Sequence, residues 1–435
     1  MNMSNANDRY AGKLRTAEEA ARLIESGSKV CLAISVSQPP GLLQALAARE
    51  DVENIDLYYL LSSGNAKSVL TTPLRKRIRP ISLFSGAIER KLDAEAIALG
   101  LPRIDFIPCS FSQASKILCP IVDTFLVMVS PPDERGYFNL GVNASYSVAL
   151  ARSARKIIVE VNPSMPRVYG NDQIHINDVA AVIEHQSALP EFPSGDLRPE
   201  DKAIAGHIGT VIDDGACLQL GIGGIPDAVC SVLSNHRHLS AHTELMTPGM
   251  AKLMQNGIVD NSRKTTDPGK TVFTLTLGDR ALYDFLHDNP DVMARPVEYT
   301  NNPAVICQND NVVSVNSTLE IDLEGNCNSE FANGNQFSGT GGQLDFVRGA
   351  GASMNGKSII ACHSTASKGT ISKIVPRLSG PVTTPRTDVQ YITTEYGIVN
   401  LRGLTLAERA RALIGLAHPD FREALDREYH ARFGA

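Results

Sequence analysis

Two stretches of this chain carry the same pattern, and together they fix its class. GSKVCLAISVSQPPGLLQALAAR, from Gly27, and GACLQLGIGGIPDAVCSVLSNH, from Gly215, each run from a glycine through an apolar strand to a proline-containing turn and an amphipathic helix. Identity between them is weak, but the order of features is the same. A strand that passes through a short turn directly into a helix opens a parallel α/β unit. The expected fold class is therefore α/β, with two related open-sheet domains.

Other segments agree. Thr16 followed by Glu19 reads as a capping box, Leu23 and Ile24 as the helix's apolar face, and Gly27 as its end. Residues 30–36 read as a buried strand that stops at Pro39-Pro40-Gly41. Further strands are expected at 57–61, 81–84, 104–109, 122–129 and 157–161, and SYSVALARSARK is compatible with a helix. Residues 185–199, HQSALPEFPSGDLRP, lack periodicity and suit a linker, giving domains of 1–190 and 191–435. Pro199 then fits the first turn of a helix, with Glu200 and Asp201 at its positive end and Ile204, Ile208, Val211 and Ile212 at helical spacing. Thr405 and Glu408 form a second capping box before ARALIGLA, which stops at His418-Pro419.

The 435 residues allow two or three domains at about 150 residues each. With 43% hydrophobic and 20% charged residues the chain supports large cores and is not chiefly disordered. The net charge of −6 argues against a nucleic-acid partner, so anions must meet locally arranged donors. No run reaches the ~20 apolar residues of a membrane span, and the first residues lack the apolar core of a secretory signal. No membrane partner is expected, and a cytoplasmic enzyme is. The eight cysteines are scattered without a C-x-x-C pair and read as reduced thiols.

Three glycine motifs invite a phosphate or ligand. Gly351 to Ser358 matches G-x-x-x-x-G-K-S literally, but SIIAC follows as a strand, and Asn355-Gly356 reads as a turn that leaves Lys357 in solvent. This segment is rejected as a nucleotide loop. Gly221, Gly223 and Gly224 lie between the strand CLQL and a helix starting at Pro226-Asp227, with Pro226 where a dinucleotide fingerprint needs its third glycine. NAD is not expected; a tight turn and an anion or oxyanion site are both compatible with that spacing. The run Ser338-Gly-Thr-Gly-Gly342-Gln-Leu-Asp-Phe346 is either a flexible loop or a place of close backbone approach by a ligand. His236, His238, His242 and Glu244 are close in sequence, but their spacing fits a helix end and a short strand, so no metal site is assigned. Taken alone, Glu244 reads as a solvated or hydrogen-bonded carboxylate.

GIGGIPDAV, HTE, QNDNVVSVNSTLEIDLEG, SGTGGQLDFVRGA, STASKGTISKIVP and TEYGIVNL, in this order, resemble the class I CoA-transferases of the acetyl-CoA hydrolase/transferase family, particularly the 4-hydroxybutyrate branch. FIPCSF, RGYFNLGVN and VNPSMPRVYG in the first half are also similar. The resemblance implies two α/β domains of CoA-transferase type with the active site in the cleft between them. It also implies a transferase that moves CoA between short-chain carboxylic acids, by a ping-pong cycle through a glutamyl-CoA thioester. The HTE motif places the catalytic glutamate at Glu244. The CoA-binding and oxyanion segment maps to Gly221, Ile222, Gly223, Gly224 and Ile225, a second site to Gly342, and positions near CoA to Asn316 and Lys368. Coenzyme A or acyl-CoA is then a substrate, with no permanently bound cofactor, and a homodimer or higher oligomer is implied. The alternatives are a transferase for a dicarboxylate such as succinate or itaconate, an acyl-CoA hydrolase on the same scaffold, and a noncatalytic acyl-CoA binder. Arg167 is a candidate contact for a second carboxylate or else a structural arginine. Where the family pattern runs roughly HTEMFSDG, this chain has HTELMTPG with Pro248, and CHSTAS stands for LPSTAK. Those departures bear on acyl specificity and leave the nucleophile intact.

Overall fold

A computed structural model describes residues 3–170 and 173–434. They form two compact units, one of Met1–Phe192 with Val272–Tyr299 and one of Pro193–Thr271 with Thr300–Ala435. The sequence reading gave 191–435 to one domain; Val272–Tyr299 instead packs with the first unit. Its backbone supplies the reason, since the Gly278 carbonyl accepts from Phe192 N–H and the Thr274 carbonyl accepts from Ser145 N–H.

The first unit is built on seven strands: β1 (Lys29–Leu32), β2 (Ile55–Tyr59), β3 (Ile78–Ser82), β4 (Asp105–Phe106), β5 (Thr124–Val129), β6 (Lys156–Val161) and β7 (Ala181–Glu184). Their order is β4-β3-β2-β1-β5-β6-β7, and every pairing is parallel. The direction of winding reverses between β1 and β5, as in a doubly wound sheet. All six residues of β5, TFLVMV, are buried, which is why the strands read as continuous apolar runs and not as alternating ones. Helices α1 (Ala17–Ala21) and α2 (Pro40–Ala48) pack on this sheet, with Ala20, Leu42, Leu43 and Leu46 in its core. The capping box at Thr16 and Glu19 is present.

Of the expected strands, 30–36, 104–109 and 122–129 are shorter than read, the second reduced to Asp105–Phe106, and 57–61 is shifted to Ile55–Tyr59. The run 30–36 leaves extended geometry after Ile34, where Ser35 adopts φ +43° and begins a short 3₁₀ turn. The Ile34 carbonyl accepts from Asn143 Nδ2 at 2.7 Å, outside the ladder. At the end of β2, Leu61 at φ +50° likewise turns the chain away.

The second unit holds β8 (Cys217–Leu220), β9 (Ser240–Ala241), β10 (Val312–Ser317), β11 (Lys357–Ala361), β12 (Tyr391–Thr394) and β13 (Gly397–Asn400), in the order β9-β8-β10-β11-β12-β13. All pairings are parallel except the terminal β12–β13 hairpin. Around it lie α3 (Pro199–Gly209), α4 (Gly224–Val232), α5 (Pro248–Gln255), α6 (Gln343–Ala352), α7 (Leu406–Leu416) and α8 (Pro419–Phe433). Pro199 occupies the first turn of α3 and the capping box at Thr405 starts α7, as the sequence indicates.

The literal nucleotide-loop match falls apart here. Gly351 lies inside α6, Asn355 makes the turn at φ +56°, and Lys357 opens a strand, not a helix. Lys357 is not in solvent as expected, because its Nζ donates to the Val211 carbonyl at 2.7 Å and to Asp213 at 2.6 Å. Gly356 is required sterically, since a Cβ there would overlap the Ala350 carbonyl oxygen. Gly356→Ala is expected to lower stability by about 1–3 kcal/mol through that overlap. Lys357→Met, which removes the hydrogen bond to the Val211 carbonyl and an ion pair whose Asp213 partner is exposed, is expected to cost about 1 kcal/mol. Denaturant unfolding of the two variants checks the ranking, and equal losses would contradict it.

Candidate active site

Glu244 is delivered by the pairing of β8 with β9. Leu218 and Ala241 are in register, and His242 N–H continues the ladder to the Leu218 carbonyl at 3.1 Å. Thr243 then closes a turn, its hydroxyl donating to the carbonyls of Leu220 and Leu245. That turn presents Glu244 at the carboxyl end of the sheet, where ligands of open parallel sheets bind. Pro248 has a local reason as well. It sits in the first turn of α5, behind the N-cap Thr247, whose hydroxyl accepts from Met250 N–H at 3.3 Å.

Three groups surround the partly buried Glu244 carboxylate. Asn301 Nδ2 donates to Oε2 at 2.6 Å. Gly342, N-cap of α6, brings bare backbone against the same oxygen, and its N–H favours the ionised carboxylate. A Cβ at 342 would overlap Glu244 Oε2 and Asn301 Nδ2, so only glycine permits this approach. Gly341, at φ +54°, turns the chain into that position. Asp345, in the first turn of α6, adds a like charge. Burial, the largest effect, pushes the Glu244 carboxyl up to about 7; Asp345 raises it further, while Asn301 and Gly342 oppose the rise.

His242 is not a base in this arrangement. It is fully buried, and that burial, aided by the nearby Lys264 ammonium, holds its imidazole down to about 3 and therefore neutral. Its Nε2 lies 2.9 Å from the Thr300 carbonyl, which assigns the proton to Nε2 and fixes the backbone one residue before Asn301.

The sheet brings most of the sequence-derived residues to one end of the second unit. Gly221 and Ile222 follow β8 directly, Gly223 takes φ +109° as N-cap of α4, and Gly224 and Ile225 begin that helix. Asn316 lies at the end of neighbouring β10 and exchanges hydrogen bonds with Gln219 of β8, its Nδ2 donating at 3.1 Å. Gly342 touches Glu244 itself. Lys368 lies at an exposed turn with φ +58°. Arg167 belongs to the first unit and pairs with Asp288 at 3.7 Å. Sequence reading missed Asn301, which sits in the two-residue link between the short helices Val297–Thr300 and Pro303–Ile306, with no motif to mark it.

Models of two domains match the chain: the acetyl-CoA hydrolase/transferase N-terminal domain over residues 1–192 and the C-terminal domain over residues 278–429. The chain is 42% identical to the 4-hydroxybutyrate coenzyme A transferase of Clostridium kluyveri, over 98% of this chain and 99% of that protein. It is also 42% identical to the succinyl-CoA:cyclohexane-1-carboxylate CoA transferase of Geobacter metallireducens, over 96% and 94%. Among solved structures, RipA from Yersinia pestis superposes with a TM-score of 0.96 at 46% identity, covering both chains completely.

A carboxyl that titrates near 7 in the fold and at 4.5 in the unfolded chain binds its proton more tightly when folded. Stability therefore falls as pH rises from about 4.5 to 7, by up to about 3 kcal/mol at 1.36 kcal/mol per pH unit. Glu244→Gln removes that penalty while keeping an oxygen for Asn301. Its unfolding temperature is expected to exceed that of the parent at pH 8, with the gain shrinking at pH 5; a pH-independent difference would refute the burial argument.

Proposed function

The chain belongs to the acetyl-CoA hydrolase/transferase family, and from that premise we propose that it is an acyl-CoA:carboxylate CoA-transferase for short-chain acids of the 4-hydroxybutyrate, butyrate and acetate type. The observation that carries the reading is the Glu244 carboxylate held by the Asn301 amide against the bare backbone of Gly342. A carboxylate is a weak nucleophile toward a thioester, so it needs fixed orientation and donors aimed at developing oxygen charge.

In the proposed cycle Oε2 is tied to Asn301, which leaves Oε1 to attack the acyl-CoA carbonyl. The tetrahedral intermediate collapses by breaking the C–S bond, giving an acyl-glutamyl anhydride and CoA thiolate. The thiolate attacks the glutamyl carbonyl and expels the first carboxylate, leaving a glutamyl-CoA thioester. An incoming carboxylate attacks that thioester, forming a new anhydride and freeing the thiolate, which takes the new acyl group and restores Glu244. During the two steps at the glutamyl carbon the negative charge falls on the glutamyl oxygen, where the Gly342 N–H and the Asn301 amide already sit. Neutral His242 takes no proton; it positions Asn301 through Thr300.

Intact mass after incubation with butyryl-CoA is expected to show a CoA adduct localised to Glu244 and absent from Glu244→Ala. Both Glu244→Ala and Glu244→Gln are expected to lower kcat by about 10³-fold or more. Because the anion is the nucleophile, kcat/KM should climb with pH to an apparent pKa near 7 and then level off. Thioester loss that proceeds equally with and without acetate would replace transfer by hydrolysis. A variant lacking Glu244 with parental transferase activity would remove the reading altogether.

A further inference from the structure

The chain carries a net charge of −6, yet residues 75–79, RKRIR, place four cations in five positions. Three of them, Arg75, Lys76 and Arg79, border a cavity of about 1160 Å³ whose lining belongs wholly to the first unit. Pockets of ~300–1,000 Å³ enclose whole small ligands, so this one has room for such a molecule. Its apolar wall comes from Pro73 in the 3₁₀ turn Thr72–Lys76 and from Ala98, Leu99, Leu101 and Pro102 after the helix Ala87–Ala98. Leu99 is 66% exposed and Leu101 39%, a contiguous apolar patch of the kind that marks a binding surface. The charges around that wall are unevenly matched. Arg79 pairs with Asp56 at 2.8 Å and with Asp105 at 3.2 Å. Glu95, the other acid of the lining, accepts from Thr72 Oγ1 at 3.2 Å and faces Lys91 at 4.0 Å. Both acids are therefore engaged, whereas Arg75, Lys76 and Arg103 have no ion pair or hydrogen bond among the described residues. Arg75 Nη1 is in addition buried without an acceptor, a cost that an anion in the groove would offset.

The occupant follows from charge and from the sheet edge. β4 pairs only with Ile81 and Ser82 of β3, so Ile78, Arg79 and Pro80 run on beside the groove without a partner strand on that side. Pro80 has no N–H to give, which makes this edge a poor template for an added peptide strand. A ligand that needs no ladder suits it better. We propose that the groove binds an amphipathic anion, a medium- or long-chain carboxylic acid, with its carboxylate met by Arg75, Lys76 and Arg103 and its chain along Leu99, Leu101 and Pro102. Clustered unpaired cations beside an apolar wall concentrate such an anion against the overall negative charge of the chain. The assignment does not depend on the transferase reading, since no residue of the second unit lines the groove.

Titration calorimetry of the intact chain with decanoate tests it, with 1-decanol as the uncharged probe of the same length. Arg75→Gln is expected to weaken decanoate binding about tenfold, the scale of one charge-assisted contact, and the double variant Lys76→Gln/Arg103→Gln by at least as much. Leu99→Ser, at an exposed position, should weaken it several-fold without any change of charge. Decanol should bind the parent at least tenfold more weakly than decanoate. If Arg75→Gln fails to fold, the double variant and Leu99→Ser, all at exposed positions, carry the test. Parental decanoate affinity in the charge variants overturns the proposal, as does equal affinity for decanol, which would leave apolar adsorption only. Two other occupants would also overturn it: a fall in sedimentation mass in Leu99→Ser assigns the groove to a second copy of this chain, and binding to phosphatidylglycerol vesicles without uptake of decanoate assigns it to a membrane surface.

Discussion

A carboxylate taken out of water beside another acid must be met by donors, and the layout of the second unit follows from how Glu244 is met. A side chain at position 342 would occupy the space of the Glu244 oxygen, so the donor has to be bare backbone. The loop before it must hold that backbone still. Glu330, itself buried, does part of this: its carboxylate accepts from Gln336 Nε2 at 3.1 Å and Thr383 Oγ1 at 2.9 Å, while its carbonyl accepts from the N–H groups of Phe337 and Ser338. On the other side, His242 fixes Thr300 and so Asn301. Two buried groups far apart in sequence thereby set the two donors of one carboxylate.

That environment involves a balance. More burial would raise the carboxyl further and leave little of the reactive anion at neutral pH; less would return it toward 4.5, where it is a poorer nucleophile and a better leaving group. A value of about 7 lies between these limits. Asp345 shifts the balance toward protonation, and the Gly342 and Asn301 donors shift it back. The same two donors favour the anion and suit the oxyanion on the glutamyl carbon, so one geometry serves the resting enzyme and the proposed intermediates.

Much of this was legible in the sequence where local chemistry decides. The capping boxes at Thr16 and Thr405, Pro199 in a first turn and the apolar runs of β5 and β6 are set by neighbours within a few residues. Position 244 was legible through the HTE motif and its order among the glycine segments. What escaped was set by distant partners. Residues 272–299 join the first unit through pairings no local pattern records. Asn301 meets Glu244 because β8 and β9 bring that carboxylate to it. The run 30–36 is apolar throughout, yet Ser35 turns because Asn143 and Leu61 claim the backbone around it.

The two strand–proline–helix segments show how one local pattern is met by different partners. In the first unit the start of α2 is answered from within: Glu160 of β6, fully buried, accepts from Leu42 N–H at 2.8 Å and from Gly41. Burial raises that carboxyl to about 7, and the helix N–H groups pull against the rise. A Cβ on Gly41 would crowd both His185 and Glu160, so glycine here admits an internal acid. In the second unit the matching helix, α4, starts on Gly223 and Gly224 beside a cavity, and the nearby acid, Asp201, is engaged by His363 and Arg198. The electrostatic demand of a helix start is the same in both. In both copies a buried carboxylate crosses a bare glycine at the helix start; Glu160 accepts from the helix N–H of Leu42, whereas Asp201 is engaged by His363 and by Arg198 N–H.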